Sequence, residues 1–210
     1  MVKVISDITA IIIAGGNSFR IGEDKAMLTL NGITIIERTF NLLQNIFSKT
    51  IIISNNTHNY KFLTKKIYKD IFPGLGPLSG IHSGLKHSQT NINFIISCDL
   101  PLINSQTINF IISKNSESDI ILPKTESIIH SLCGIYKKSC LETAENLLQN
   151  ANTKINERNS KTKVKLFDLI NSVRTDYIEL SREKFYEKDV MFNMNTLNDY
   201  EYLKARMNNQ

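Results

Sequence analysis

The chain has 210 residues, 41% of them hydrophobic and 21% charged, with a formal net charge of +5 and a pI near 9.0. That length fits one domain with a sizeable buried core, and the balance excludes a disordered chain. Basic residues are scattered, with no arginine-rich helix or aromatic-basic interleaving, so the charge points to a small polyanionic substrate and away from nucleic acid.

In chain order, Ile8 to Ile13, Thr50 to Ser54, Phe94 to Ser97 and Asp119 to Leu122 are short and rich in β-branched residues, the pattern of strands buried on both faces. Between the first two, Thr34 and Glu37 have capping-box spacing, and Ile36, Phe40, Leu43 and Phe47 recur at helical intervals. Further helices are expected over Ser79 to His87, from a Ser105 cap to Lys114, over Leu141 to Gln149, over Lys161 to Ser172 and over Leu197 to Met207, with a strand near Tyr177 to Leu180. This alternation predicts an α/β fold: a single Rossmann-like three-layer domain over residues 1–210, with a mostly parallel twisted sheet and helices on both faces. Such sheets bind ligands at the carboxyl ends of their strands. Cys98, Cys133 and Cys140 form no Cys-x-x-Cys pair and no even set, which argues for reduced thiols in the cytoplasm and against structural zinc. The N-terminal apolar run is too short to span a bilayer and lacks a cleavage motif, so neither export nor membrane anchoring is expected.

The most informative run follows the first strand: Ile13-Ala14-Gly15-Gly16-Asn17-Ser18-Phe19-Arg20-Ile21-Gly22-Glu23-Asp24-Lys25. Adjacent glycines let the backbone turn sharply and approach a ligand, its N–H groups can face an anion, and Arg20 and Lys25 add positive charge. The run matches neither a Walker loop nor a dinucleotide fingerprint. A lysine closes a long loop able to wrap a nucleotide triphosphate.

Asp99 ends the strand Ile95-Ile96-Ser97-Cys98, where a carboxylate can hold Mg²⁺ against phosphate oxygens. A turn or cap aspartate before Leu100-Pro101 is the competing reading. The segment Asp70 to Gly80 is dense in turn formers, with three glycines that permit close backbone approach; a plain loop leading into a helix is its alternative. Asn193-Met194-Asn195-Thr196 offers amide oxygens for Mg²⁺ and amide N–H₂ groups for phosphate, or simply an N-cap. His130 reads as a substrate contact or as a structural histidine. His58, His82 and His87 have no ligand spacing, and Cys98 has no base partner in sequence.

The Gly15 to Lys25 block resembles the signature of sugar-phosphate and cofactor nucleotidyltransferases, and among these is most similar to the molybdenum cofactor guanylyltransferases. Asp24 stands where relatives acting on sugars or on methylerythritol phosphate place a proline before the lysine. The resemblance implies Mg²⁺-dependent transfer of GMP from GTP to molybdopterin, with release of pyrophosphate. It implies Ile13, Ala14, Gly15, Gly16, Lys25, Asn55, Asp70, Gly80 and Asp99 as GTP contacts, Asn56 being the alternative to Asn55. Asp70 would bind base or ribose, and a carboxylate can accept from guanine N1–H and N2–H₂, a pair that adenine lacks. By the same resemblance Arg20, Lys25 and Asp99 carry catalysis, Asp99 and Asn195 hold Mg²⁺, and His130 and Asn193 touch the acceptor. A nucleotide-binding half then ends near residue 104 and an acceptor-binding half follows. A molybdoenzyme or cofactor-delivery protein is the candidate partner, without nucleic acid or membrane. Phe19, Ile21 and Ser131 depart from the family pattern. Two alternatives stand beside this reading: transfer of CMP or another nucleotidyl group to a phosphorylated small molecule, and a non-catalytic nucleotide-binding or cofactor-delivery module.

Overall fold

The computed structural model describes residues 4–15, 24–114, 116–158 and 164–208. Gly16 and Arg20, two of the expected site residues, lie outside them, as do the departures Phe19 and Ile21.

The central strand β1 (Ile5–Ile13) is flanked in parallel by β4 (Phe47–Ile53) and β6 (Ile92–Ser97). Along it Ala10 and Ile12 enter one apolar cluster while Ile11 and Ile13 enter the other. A strand that buries both faces favours apolar residues at successive positions, as from Ile8 to Ile13, where the one polar side chain, Thr9, is hydrogen-bonded to Thr90. Short β5 (Ile67–Tyr68) pairs beyond β4. On the far side β9 (Cys133–Lys137) runs antiparallel between β6 and β7 (Ile120–Thr125), and β10 (Thr175–Glu179) closes the edge parallel to β7. The order is β10-β7-β9-β6-β1-β4-β5, with β8 (Ile128–Ile129) folded back on β7.

Helices α1 (Ile35–Gln44) and α3 (Ser105–Ser113) cover one face through Ile36, Phe40, Leu43, Ile108 and Ile111. Helices α2 (Pro77–His87), α4 (Leu141–Arg158) and α5 (Leu166–Ser172) cover the other through Leu78, Ile81, Leu85, Leu148 and Leu169. The three-layer α/β arrangement read from the sequence is therefore the one observed. A third, small cluster joins Leu30 and Ile35 to Met194 and to Leu203 of α6 (Leu197–Asn208). It seats the hairpin of β2 (Thr29–Leu30) and β3 (Ile33–Thr34).

Several boundaries move, each for a local reason. α3 is capped by Asn104, whose Oδ1 accepts the Thr107 N–H at 2.9 Å, with Ser105 as its first residue. α5 starts at Leu166, because the Val164 N–H is spent on the Leu75 carbonyl at 3.1 Å, across to the Gly-Pro turn, and so cannot serve a helix. α4 runs on to Arg158, the apolar spacing of Ala144 and Leu148 continuing in sequence at buried Ala151 and at Ile155. At Thr34 only half of the capping box forms: its Oγ1 accepts the Glu37 N–H at 3.3 Å.

Register brings the strand tips level. Ile13 pairs with Ile53 on one side and with Ser97 on the other. The ladder continues one residue further: the Ala14 N–H donates to Ile53 O at 2.9 Å, Cys98 N–H to Ile13 O at 3.3 Å and Ser54 N–H to Tyr68 O at 2.8 Å. Gly15, Asn55 and Asp99 therefore leave the sheet side by side, and Asp70 follows two residues beyond β5.

Candidate functional site

Lys25 begins a single 3₁₀ turn, Lys25–Met27, and reaches across the sheet edge to the tip of β6. Its Nζ donates to Asp99 Oδ2 at 3.3 Å and to the Met194 carbonyl at 3.4 Å. Asp99 is 8% exposed, and its other oxygen, Oδ1, is buried with no hydrogen-bond partner. A charged acceptor left so is costly unless something outside the chain completes it. The Asp99 carbonyl also accepts the Met194 N–H at 2.8 Å, which ties β6 to the Asn193–Thr196 segment.

That segment is held by α6. The Asp199 carboxylate accepts the N–H groups of Asn195 at 2.8 Å and Thr196 at 2.7 Å. Desolvation works against its charge, but these two donors and the nearby Lys25 ammonium keep the Asp199 carboxyl below its ordinary range. Asn193 and Asn195 are both exposed, on either side of Met194, whose backbone contacts Lys25 and Asp99.

A second group sits over β4 and β5. Asn55 donates from Nδ2 to Asp70 Oδ2 at 2.9 Å and accepts the Asp70 N–H on Oδ1 at 3.1 Å. Burial pushes the Asp70 carboxyl up and the Asn55 amide pulls it part of the way back. The Ile71 N–H donates to Ser83 Oγ at 2.8 Å, fastening the loop to α2. A Cβ on Gly80 would come within 3.1 Å of Ile13 Cγ2 and 3.7 Å of Asp70 Oδ1, so glycine there lets the helix approach the β1 tip beside the carboxylate. Gly15 is different: its φ is not positive, and a Cβ there would meet no atom within 4 Å. No turn demands glycine at Gly15; its bare backbone leaves open space over the strand end.

His130 lies between β8 and β9 on the same edge, away from the Lys25–Asp99 pair by two strands. Its Nε2 is 2.8 Å from Thr125 Oγ1 and its N–H donates to Pro123 O at 3.0 Å. Burial lowers the imidazole pKa. The structure thus brings Ile13, Ala14, Gly15, Lys25, Asn55, Asp70, Gly80, Asp99, Asn193 and Asn195 to one end of the sheet around β1, and leaves His130 farther along that edge. Cys98 and Cys133 are fully buried, and desolvation pushes the Cys98 thiol up to about 12, so neither is a nucleophile at neutral pH.

Sequence reasoning missed the groups behind Lys25. Asp24 accepts the Ala26 N–H on Oδ1 at 3.2 Å, and on Oδ2 it accepts the Tyr60 hydroxyl at 2.6 Å and the Asn59 amide at 3.3 Å. The hairpin after Lys25 was also missed. Its signal was Asn31-Gly32, here at φ 52° and 77°, the pair that a tight two-residue turn requires.

As to donor chemistry, no group of three or more His, Cys, Asp or Glu side chains converges among the described residues. An orphaned hard oxygen on Asp99 beside exposed amides fits Mg²⁺, which keeps waters and substrate phosphates as its other ligands.

The family model of the MobA-like NTP transferase domain matches residues 10–162. A protein of Clostridium perfringens named "Probable molybdenum cofactor guanylyltransferase" is 35% identical over 198 residues, 93% of this chain and 95% of the relative. One of the same name from Carboxydothermus hydrogenoformans is 33% identical over 199 residues, 95% and 96% of the two chains. Among solved structures, molybdopterin-guanine dinucleotide biosynthesis protein A of Archaeoglobus fulgidus superposes with a TM-score of 0.78 at 18% identity, over 96% of this chain and 100% of that one. A nucleotidyl transferase from Methanothermobacter gives 0.70 at 16%, over 96% and 98%. At those identities the two structures speak for the fold, while the family match and the curated relatives speak for descent. The chain belongs to the MobA-like NTP transferase domain family, on its molybdenum cofactor guanylyltransferase branch.

Proposed function

We propose that this chain transfers GMP from GTP to the terminal phosphate of molybdopterin. An acceptor phosphate oxygen forms a bond to the α-phosphorus, the bond from that phosphorus to the β-bridging oxygen breaks, and pyrophosphate leaves with the electron pair. The nucleophile is already anionic at neutral pH, so no general base and no covalent enzyme intermediate are needed; catalysis reduces to positioning and charge neutralisation. The observation that carries the reading is the Lys25–Asp99 pair, in which a lysine on a 3₁₀ turn meets a half-satisfied carboxylate at the tip of β6. The names of the curated relatives supply the guanylyl and molybdenum cofactor parts of it.

In this scheme Lys25, together with Arg20 and the Gly15-Gly16 backbone, holds the β- and γ-phosphates. Asp70, oriented by Asn55, accepts from the guanine edge, and Gly80 and Ile13 form the floor beneath it. Asp99 with Asn195 would hold Mg²⁺, which when bound supplies positive charge against the phosphate oxygens. His130 and Asn193 face the acceptor, so residues beyond about 104 serve the acceptor and those before it the nucleotide. A molybdoenzyme or cofactor-delivery protein would receive the product. The three cysteines are unpaired, which supports a reducing, cytoplasmic setting; among the described residues no helix is long and apolar enough to cross a membrane.

The test is Lys25→Ala, assayed for pyrophosphate release with GTP, Mg²⁺ and molybdopterin. A loss of kcat/KM of about 10²-fold is expected from removing one cation on the transferring phosphates. Turnover at the parent rate would sink the reading. Faster turnover with CTP than with GTP would move the substrate to the cytidylyl alternative, and binding without pyrophosphate release would leave a nucleotide-binding module.

A further inference from the structure

Behind Lys25 stands a part-buried side-chain cluster whose hydrogen bonds reach none of the side chains assigned to substrate. Asp24 caps the turn that carries Lys25, accepting the Ala26 N–H at 3.2 Å on one carboxylate oxygen. The other oxygen takes the Tyr60 hydroxyl at 2.6 Å and the Asn59 amide at 3.3 Å. Tyr60 is 1% exposed and shares an apolar cluster with Ala14, Ala26 and Cys98. It closes the 3₁₀ turn Thr57–Tyr60, five residues after Asn55. One carboxylate therefore bolts the lysine's turn to the segment that leaves β4 with Asn55.

We propose that Asp24 and Tyr60 are positioning residues that fix Lys25 for the triphosphate and lock its distance from the nucleoside-binding groups Asn55 and Asp70. The cation sits on a long flexible stem, so its placement over phosphate depends on how firmly its backbone is held. A hydrogen bond from a buried hydroxyl to a charged carboxylate is among the stronger ones available to a side chain. Burial first, then the hydrogen bond to Asp24 and after it the Asp24 charge, push the Tyr60 pKa far above its ordinary value, so the hydroxyl stays a donor at any physiological pH. The geometry also makes the effect selective. The strut acts on the turn of the lysine and leaves the Asn55–Asp70 pair intact, so it governs affinity for the β- and γ-phosphates and not for the nucleoside.

This inference rests on the placement of GTP at Lys25, and its test separates the two. Calorimetric dissociation constants for GTP and for GMP, both with Mg²⁺, are measured on the full chain as parent, Tyr60→Phe, Lys25→Ala and the double variant. Tyr60→Phe keeps the ring in its slot and removes the hydroxyl alone; it is expected to weaken GTP about tenfold, the scale of one hydrogen bond to a charged group, while GMP stays within about twofold. Combined with Lys25→Ala it should add nothing, since the two act through one group. Should Tyr60→Phe fold poorly, Asn59→Ala, at the half-buried rim of the cluster, is expected to give the same selectivity at about threefold. Equal weakening of GTP and GMP, full additivity with Lys25→Ala, or an unchanged GTP constant in both strut variants overturns the strut while Lys25→Ala still weakens GTP. A Lys25→Ala protein that binds GTP like the parent overturns both the strut and the placement of the triphosphate beneath it.

Discussion

At the tips of β1, β4 and β6, charged and amide side chains meet one another across strands: Lys25 with Asp99, Asn55 with Asp70, Asp24 with Tyr60 and Asn59. At the tips of β7 and β10 the charged contact is the looser Lys124–Glu179 pair at 3.8 Å, and the hydrogen bonds serve a turn. Glu179 accepts the Glu126 N–H at 3.1 Å, Thr125 pairs with His130, and Ile128 at the hairpin is 61% exposed. The first arrangement holds charge in place before any ligand arrives, which spares ordering entropy on binding. The second holds backbone in place and leaves its surface to be shaped by whatever docks there. A pre-built end and an open end suit a transferase that takes one invariant triphosphate and one bulky acceptor.

The largest effect that can break this comparison is at Asp99. Asp99→Asn keeps the shape but removes the charge that both pairs with Lys25 and presents the orphaned oxygen. Turnover is expected to fall by about 10³-fold, the scale of losing a pre-placed electrostatic group, in a steady-state assay with GTP and acceptor. A loss below tenfold would mean that the pairing at β6 is scaffolding like that at β7. Next in size is His130→Gln, which keeps a polar partner for Thr125. It should raise the acceptor KM by about threefold to tenfold, the scale of one neutral hydrogen bond, and leave the GTP dissociation constant unchanged. If the GTP constant moves as much as the acceptor KM, the two ends are not separate.

Sequence made one end far more legible than the other, for a physical reason. The apolar runs at the carboxyl ends of β1, β4 and β6 marked those strands, although Phe47, expected to continue the first helix stripe, instead opens β4, because α1 ends at Gln44; the residues just past the runs were countable from them. Gly15 and Asp99 were placed in that way, whereas Asn55 came from the family resemblance, with Asn56 as its alternative. By contrast β8 and β5 have two residues each, too few for any period, and β9 reverses direction, which no run of residues signals. The Asp24–Tyr60 contact joins positions 36 apart through a carboxylate and a hydroxyl, and nothing local at Tyr60 marks it as polar-bonded or buried. Asp24 itself was visible only as the residue before the lysine.

The smallest expected effect concerns a buried polar side chain of α2. His82 of α2 is fully buried, edge-on to Phe72 with ring centroids 5.2 Å apart, and neither ring nitrogen has a hydrogen-bond partner; Glu145 Oε2 lies 3.7 Å from Nε2. Desolvation lowers the imidazole pKa from 6.5, Glu145 opposes this, and Lys86 and His87 reinforce it. With the folded value below the unfolded one, the unfolded chain binds more protons between the two. The stability that His82 contributes is therefore complete above about pH 6.5 and lost as pH falls below it, by at most about 1.4 kcal/mol per pH unit for one group. His87 and His130, also lowered, act with the same sign, so the difference between variant and parent is the informative quantity. His82→Leu removes two unpartnered nitrogens and the titration together. Its melting temperature should rise relative to the parent by about 2–4 °C per kcal/mol for a domain of this size, more at pH 5.5 than at pH 8. A difference that shrinks on acidification would mean that Glu145 holds the ring protonated.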